Sequence, residues 1–234
     1  MYSMLYEKLK ERGVDMKKSM FSLMLMDSIV KEIDRLAYEQ GTNRSNLVNH
    51  ILAEYLQMTT PEMQIKEIFN QMTAQLSGLA GFKVQSAPSD FCIAIKSPLE
   101  YKYRPTIKYS VEIYRTHEVA IGELRVVFRT QHNELLSLLS EFLELWIKIE
   151  AHYIHKYFKN GNIRYNIDVG RFMRTFMLPA EQVTVTNDLL SKAIGDYIEM
   201  FDSILKLYIC NPRVDSAEIE RRYVEYIKNG MIII

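Results

Sequence analysis

Met20-Phe-Ser-Leu-Met-Leu-Met-Asp-Ser-Ile-Val-Lys-Glu-Ile-Asp-Arg-Leu-Ala-Tyr-Glu-Gln-Gly-Thr-Asn-Arg-Ser-Asn-Leu-Val-Asn-His-Ile-Leu-Ala-Glu-Tyr-Leu56 changes its hydrophobic period once and is interrupted by one glycine. Its first residues alternate. Phe21, Leu23 and Leu25 fall on one side of an expected strand, and Met20, Ser22 and Met24 on the other. The period then becomes helical. Ile29, Val30, Ile33, Leu36 and Ala37 form one apolar face, and Leu47, Val48, Ile51, Leu52 and Tyr55 a second, with Gly41 between them. One short strand and two short helices bury too little to close a core, so the unit is expected to fold only as a dimer.

The strand-helix-helix order, the spacing and the turn Gly41-Thr-Asn-Arg-Ser45 resemble the ribbon-helix-helix family of DNA-binding proteins, of Arc, MetJ and CopG type. The resemblance covers residues 17–57, about a sixth of the chain. It implies that two chains pair their strands antiparallel and that the resulting ribbon enters the major groove of double-stranded DNA. Met20, Ser22 and Met24 would then contact bases, while Lys17, Lys18, Asn43, Arg44 and Ser45 would contact phosphates. The shared dimer core would hold Phe21, Leu23, Leu25, Ile33, Leu36, Val48, Ile51 and Leu52.

The two halves of that expected interface differ in chemistry. Asn43 is a good helix N-cap, and a helix N-terminus presents free N–H groups and a positive dipole end to a phosphate. On the ribbon, only Ser22 can exchange hydrogen bonds with base edges. Met20 and Met24 offer apolar contact, for instance to a thymine methyl, or burial against the rest of the chain. The family more often places Arg, Lys, Thr, Asn or Gln there, so readout would shift toward apolar and shape terms.

Charge neither favours nor opposes this reading. The chain has 29 basic and 29 acidic residues, and residues 1–60 hold eight of each. Nonspecific DNA affinity rests on phosphate neutralisation, so a neutral module binds random DNA weakly unless folding gathers its cations on one face. No apolar run reaches membrane-spanning length, and Met1 to Asp15 carries charges where a secretory signal is apolar, so a cytoplasmic protein with no membrane partner is expected. Cys92 and Cys210 provide neither a metal spacing nor a disulfide framework.

At 234 residues there is room for a second domain, expected over 60–234, with residues 1–16 as an N-terminal arm containing a short helix to Arg12. Thr60 and Pro61 read as the cap and first position of a helix reaching about Leu79. From Phe82 to Thr130 the period becomes that of strands. Phe91, Ile93 and Ile95 alternate, as do Ile107, Tyr109, Val111 and Ile113, and Leu124 to Phe128 forms another strand. Gln131 to Lys159 reads as a long helix, and 163–177 is indefinite. Helices follow from Thr186 or Asn187 to Cys210, and from a capping box at Asp215-Ser-Ala-Glu218. The apolar tail Met231–Ile234 is expected to pack. The fold class is therefore α+β: an N-terminal ribbon-helix-helix dimer module, then an α+β domain whose antiparallel sheet is covered by helices.

No phosphate-binding glycine loop, nucleophile elbow or compact acid–base pair stands out, so no enzyme and no cofactor is expected. Tyr101-Lys-Tyr-Arg104 and Lys108-Tyr109 interleave aromatic and basic residues, but tyrosine also suits half-buried strands. His152 and His155 lie three apart on a helix without further ligands. The sequence therefore points to a DNA-binding transcriptional regulator, a repressor acting as a homodimer or higher oligomer. Its second domain would oligomerise or bind a small-molecule effector or a protein partner. The alternatives are a plasmid, phage or conjugation accessory protein or an antitoxin-like protein, and a domain of unrecognised activity that the module merely dimerises.

Overall fold

A computed structural model describes residues 20–85, 91–102, 104–115, 120–158, 163–180, 186–211 and 213–234. The chain divides into two compact units, the first ending at Met63 and the second running from Gln64 to Ile234. The arm at 1–16, Lys17 and Lys18 lie outside the described residues.

The first unit holds helices α1 (Asp27–Glu39) and α2 (Arg44–Tyr55). Gly41 turns the chain between them at φ +64°, a left-handed conformation that side chains with a Cβ resist. The Thr42 N–H donates back to the Ala37 carbonyl at 2.9 Å, closing the end of α1. The expected strand is absent in the single chain: Met20–Met26 pairs with no other segment among the described residues. A strand exists through its ladder, and among the described residues Met20–Met26 has none.

The second unit carries one antiparallel sheet of six strands: β1 (Lys83–Gln85), β2 (Cys92–Pro98), β3 (Thr106–Ile113), β4 (Ala120–Arg129), β5 (Tyr165–Asp168) and β6 (Arg171–Met177). Their order is β1-β2-β3-β4-β6-β5. Strands β2, β3 and β4 form the expected meander. Residues left indefinite in the sequence become the hairpin of β5 and β6, with β6 beside β4. The short strand β1 was not anticipated, because three residues are too few to establish a period. At Gly122 a register shift brings β4 so close to β3 that a Cβ there would meet the Glu112 carbonyl oxygen at 2.3 Å.

Helices α3 (Pro61–Ser77), α4 (Asn133–Tyr153), α5 (Asn187–Cys210) and α6 (Ser216–Lys228) contribute the rest of the core. Their ends obey the expected capping chemistry. Thr186 accepts from the Leu189 N–H at 3.2 Å and Asp215 from the Glu218 N–H at 2.9 Å. Ile95, Tyr109, Val111, Leu124 and Phe176 from one sheet face are buried with Phe142, Trp146, Tyr197 and Phe201 from α4 and α5. The Trp146 ring meets Phe201 edge-on at 5.0 Å and Tyr223 of α6 at 5.3 Å, while its indole N–H donates to the Tyr197 hydroxyl at 3.0 Å.

Within this apolar layer sits a fully buried ion pair. Glu150 continues the α4 stripe of Phe142 and Trp146 by one further turn, and Arg174 alternates with Phe172 and Phe176 on the core side of β6. Arg174 Nε donates to both Glu150 oxygens at 3.0 Å, Nη1 to the Thr175 carbonyl at 3.3 Å and Nη2 to the Ile234 carbonyl at 2.6 Å. The guanidinium lies 4.4 Å over the Tyr197 ring. The pair thus joins α4, β6 and the apolar tail, whose Ile234 is buried as expected.

Removing one member of such a pair strands a buried charge, at a cost of about 3–5 kcal/mol. Arg174→Met should therefore lower the melting temperature sharply, and adding Glu150→Leu to it should restore part of the loss. A double variant no more stable than Arg174→Met would show that the two charges do not compensate each other.

Candidate nucleic-acid interface

In the first unit, Asn43 precedes α2 in extended conformation, and its side chain accepts from the Asn46 N–H at 2.9 Å. The cap is that expected from the sequence, and it sets the direction in which the α2 N-terminus points. Arg44 and Ser45 follow in the first turn, both exposed. Arg44 is engaged: its Nε meets Asp34 Oδ1, and Nη2 meets Asp34 Oδ2 at 2.5 Å. The hydrogen bonds that Arg44 donates to Asp34, and then the carboxylate charge, raise the Arg44 pKa above its already high value. Sequence reading passed over Asp34, although a carboxylate one position after Ile33 and three before Ala37, beside an apolar face, was a visible signal.

The segment before α1 is open to solvent. Met20 is 98% exposed and Met24 99%, so neither methionine is buried against the rest of the chain, and Ser22 is exposed between them. The residues expected in a shared core divide. Phe21 is 84% exposed, and Leu23, Leu25, Ile51 and Leu52 are also exposed, while Ile33, Leu36 and Val48 are half-buried. Among the described residues of this unit, the buried hydrophobic ones are Ala37, Leu47 and Ala53. Two helices joined over so small a contact leave their larger apolar side chains uncovered.

The second unit has its own candidate features. Tyr109 does not form an aromatic platform beside Lys108. Its ring faces the core, where its hydroxyl donates to Asp202 at 2.8 Å. Tyr101 packs against the same core. Lys206 bridges Asp202 at 2.6 Å and Ser97 at 2.6 Å, and lines a cleft of about 920 Å³ with Glu100, Ser203, Cys210, Arg222 and Tyr226. Burial pushes both cysteine thiols up, away from ready thiolate formation. Among the described residues no group of three or more His, Cys, Asp or Glu gathers as a metal site.

Around the buried pair, burial first and the Glu150 carboxylate second push the Tyr165, Tyr197 and Tyr223 phenols upward. Burial and then Asp202 do the same at Tyr109. At Arg174 burial pulls downward, but the Glu150 charge and hydrogen bond, together with Tyr197 and Tyr165, outweigh it and the net shift is upward. Comparison of the chain with family models, with curated proteins and with solved structures returned no match.

The phenol shifts have a definite sign. A phenol whose folded pKa is raised holds its proton more tightly folded than unfolded, so its contribution is intact below pH about 10 and is lost above it. For Tyr114, pushed up to about 12 by burial and by its hydrogen bond to Glu123, the loss falls between pH about 10 and 12. Base titration should therefore raise the tyrosinate absorbance in two steps. A second rise should coincide with loss of helical circular dichroism. A single rise near pH 10 with the fold intact would contradict the buried phenols.

Proposed function

We propose that this chain is a dimeric, sequence-specific DNA-binding regulator of transcription, acting as a repressor through a ribbon-helix-helix module at residues 17–57. The observation that supports it best is the exposed apolar side formed by Phe21, Leu23, Leu25, Ile51 and Leu52 on a unit with three buried hydrophobic residues of its own. Two copies pairing Met20–Met26 antiparallel would satisfy the unpaired backbone groups of both segments. They would also remove these side chains from water, at about 25 cal/mol per Å² of apolar surface buried.

In that arrangement the period of two puts Phe21, Leu23 and Leu25 into the shared core and turns Met20, Ser22 and Met24 toward the major groove. Phosphates would meet the N-terminus of α2, where Asn43 holds the first turn and Ser45 is exposed. Arg44 would exchange Asp34 for a phosphate, a change of partner at an exposed site where an ion pair is worth little. The cleft lined by Lys206 and Arg222 is the place in the second unit for a small-molecule effector.

Selection of genomic fragments on the purified protein, followed by sequencing, tests the reading directly. Enrichment of one motif with two-fold symmetry is expected, and no enrichment above background would overturn it. Leu23→Glu should convert the protein to a monomer by solution mass and abolish motif binding, because it introduces a charge into the shared core; an intact dimer would rule out the ribbon. Asp34→Asn should tighten motif binding severalfold by releasing Arg44. If affinity is unchanged, Arg44 is no phosphate ligand.

A further inference from the structure

The sheet has two faces of opposite character, and the charges of one are segregated along the strands. All the buried sheet residues discussed so far point toward the helices. The register carries Lys83, Lys96, Lys108, Val127 and Arg171 across five successive strands on the other face. Lys83 stands directly opposite Lys96, and Lys96 directly opposite Lys108. One residue pair further along, Arg129 is opposite Thr106 on the same face. Neighbouring strands lie about 4.8 Å apart, so the three lysines span about 10 Å and the row to Arg171 about 19 Å.

Two properties separate this row from an ordinary solvated face. Lysines directly opposite one another on adjacent strands destabilise a sheet, so the fold gains nothing from the arrangement. The cations are also left unneutralised. Lys83, Lys96, Lys108, Arg129 and Arg171 form no ion pair or side-chain hydrogen bond among the described residues, and Asp168 opposite Arg171 is turned to the Val169 N–H. The contrast lies on the same face. Toward the far strand ends, Arg125 is paired with Glu112 at 3.2 Å and with Glu123, whose carboxylate also accepts from Tyr114 at 3.0 Å. Beyond the basic end, Lys102 and Arg129 line a cleft of about 670 Å³. The chain of net charge zero thus collects free cations at one end of one face.

We propose that this open sheet face is a second DNA-binding surface, which grips the phosphate backbone of a duplex without reading its sequence. The proposal rests on the DNA-binding reading above and extends it to the second unit. Among the described residues no exposed aromatic ring lies beside these cations, which favours a duplex over a single strand. Tyr109, Phe128, Phe172 and Phe176 all lie on the helix-covered side, and Tyr114 on the open face is tied to Glu123 at the acidic end. Val127 and Met173, the apolar residues of the open face, are not part of the core and provide no pocket for a peptide anchor. A duplex carries one charge per ~1.7 Å of axis, so a row of this length meets several phosphates in any orientation.

The test uses the full chain, a random-sequence duplex lacking any selected motif, and the variant Lys83→Gln/Lys96→Gln/Lys108→Gln. Loss of three phosphate contacts should reduce the slope of log affinity against log salt by about 2.7 and weaken low-salt binding at least tenfold. The melting temperature should stay level or rise, since like charges have been separated. Lys96→Gln alone, the smallest change, should lower the slope by about 0.9. A triple variant with the wild-type slope overturns the proposal, as does tighter wild-type binding to poly-glutamate or to a single strand than to the duplex. The control variant Lys148→Gln, at an exposed position of α4 on the helix-covered side, should keep the random-duplex slope. If genomic selection yields no motif while the lysine variant still loses random-duplex binding, the ribbon reading has failed and the sheet surface stands.

Discussion

The second unit depends on one buried contact, the Glu150–Arg174 pair. A carboxylate and a guanidinium removed from water are tolerable only when nearly every donor and acceptor is satisfied. Here Nε binds both carboxylate oxygens, Nη1 and Nη2 take backbone carbonyls, and an aromatic ring lies under the guanidinium. Because those partners come from α4, β6 and the final residue, the pair specifies how a helix, a central strand and an apolar tail meet. Apolar packing alone would permit many small slips of α4 along the sheet; a fork-shaped donor set permits few.

The first unit follows the opposite logic. Among its described residues it buries Ala37, Leu47 and Ala53 and leaves Phe21, Leu23 and Met24 in water. Its caps and turn are nevertheless complete: Gly41 supplies the left-handed turn and Asn43 the N-cap of α2. The Arg44–Asp34 pair lies at an exposed site, where an ion pair is worth little.

Much of the second unit was legible because its helices are long and its strands alternate cleanly. The boundaries of α3, α5 and α6 fall close to those read from Pro61, Thr186 and the Asp215 box, since caps are local events. The hairpin of β5 and β6 was not legible. Arg174 breaks the apolar alternation on the core face, and only its buried partner four turns along α4 explains it. Tyr109 is a core residue, as its suitability for half-buried strands allowed: a strand alternates its faces, so Lys108 and Tyr109 point to opposite sides of the sheet. For the candidate interface, the cap at Asn43 was readable and the restraint of Arg44 by Asp34 was not.

By itself the sequence determined the periods: where helices and strands lie, which face of each is apolar, and which residues cap their ends. These are properties of spacing within a few residues. Only the tertiary structure decided what those faces meet. It matched Glu150 with Arg174, drew the tail beneath the guanidinium, and set Lys83, Lys96 and Lys108 side by side from positions far apart in the chain. Strand register is the physical reason, because shifting a strand by one residue would send every lysine of the row into the core.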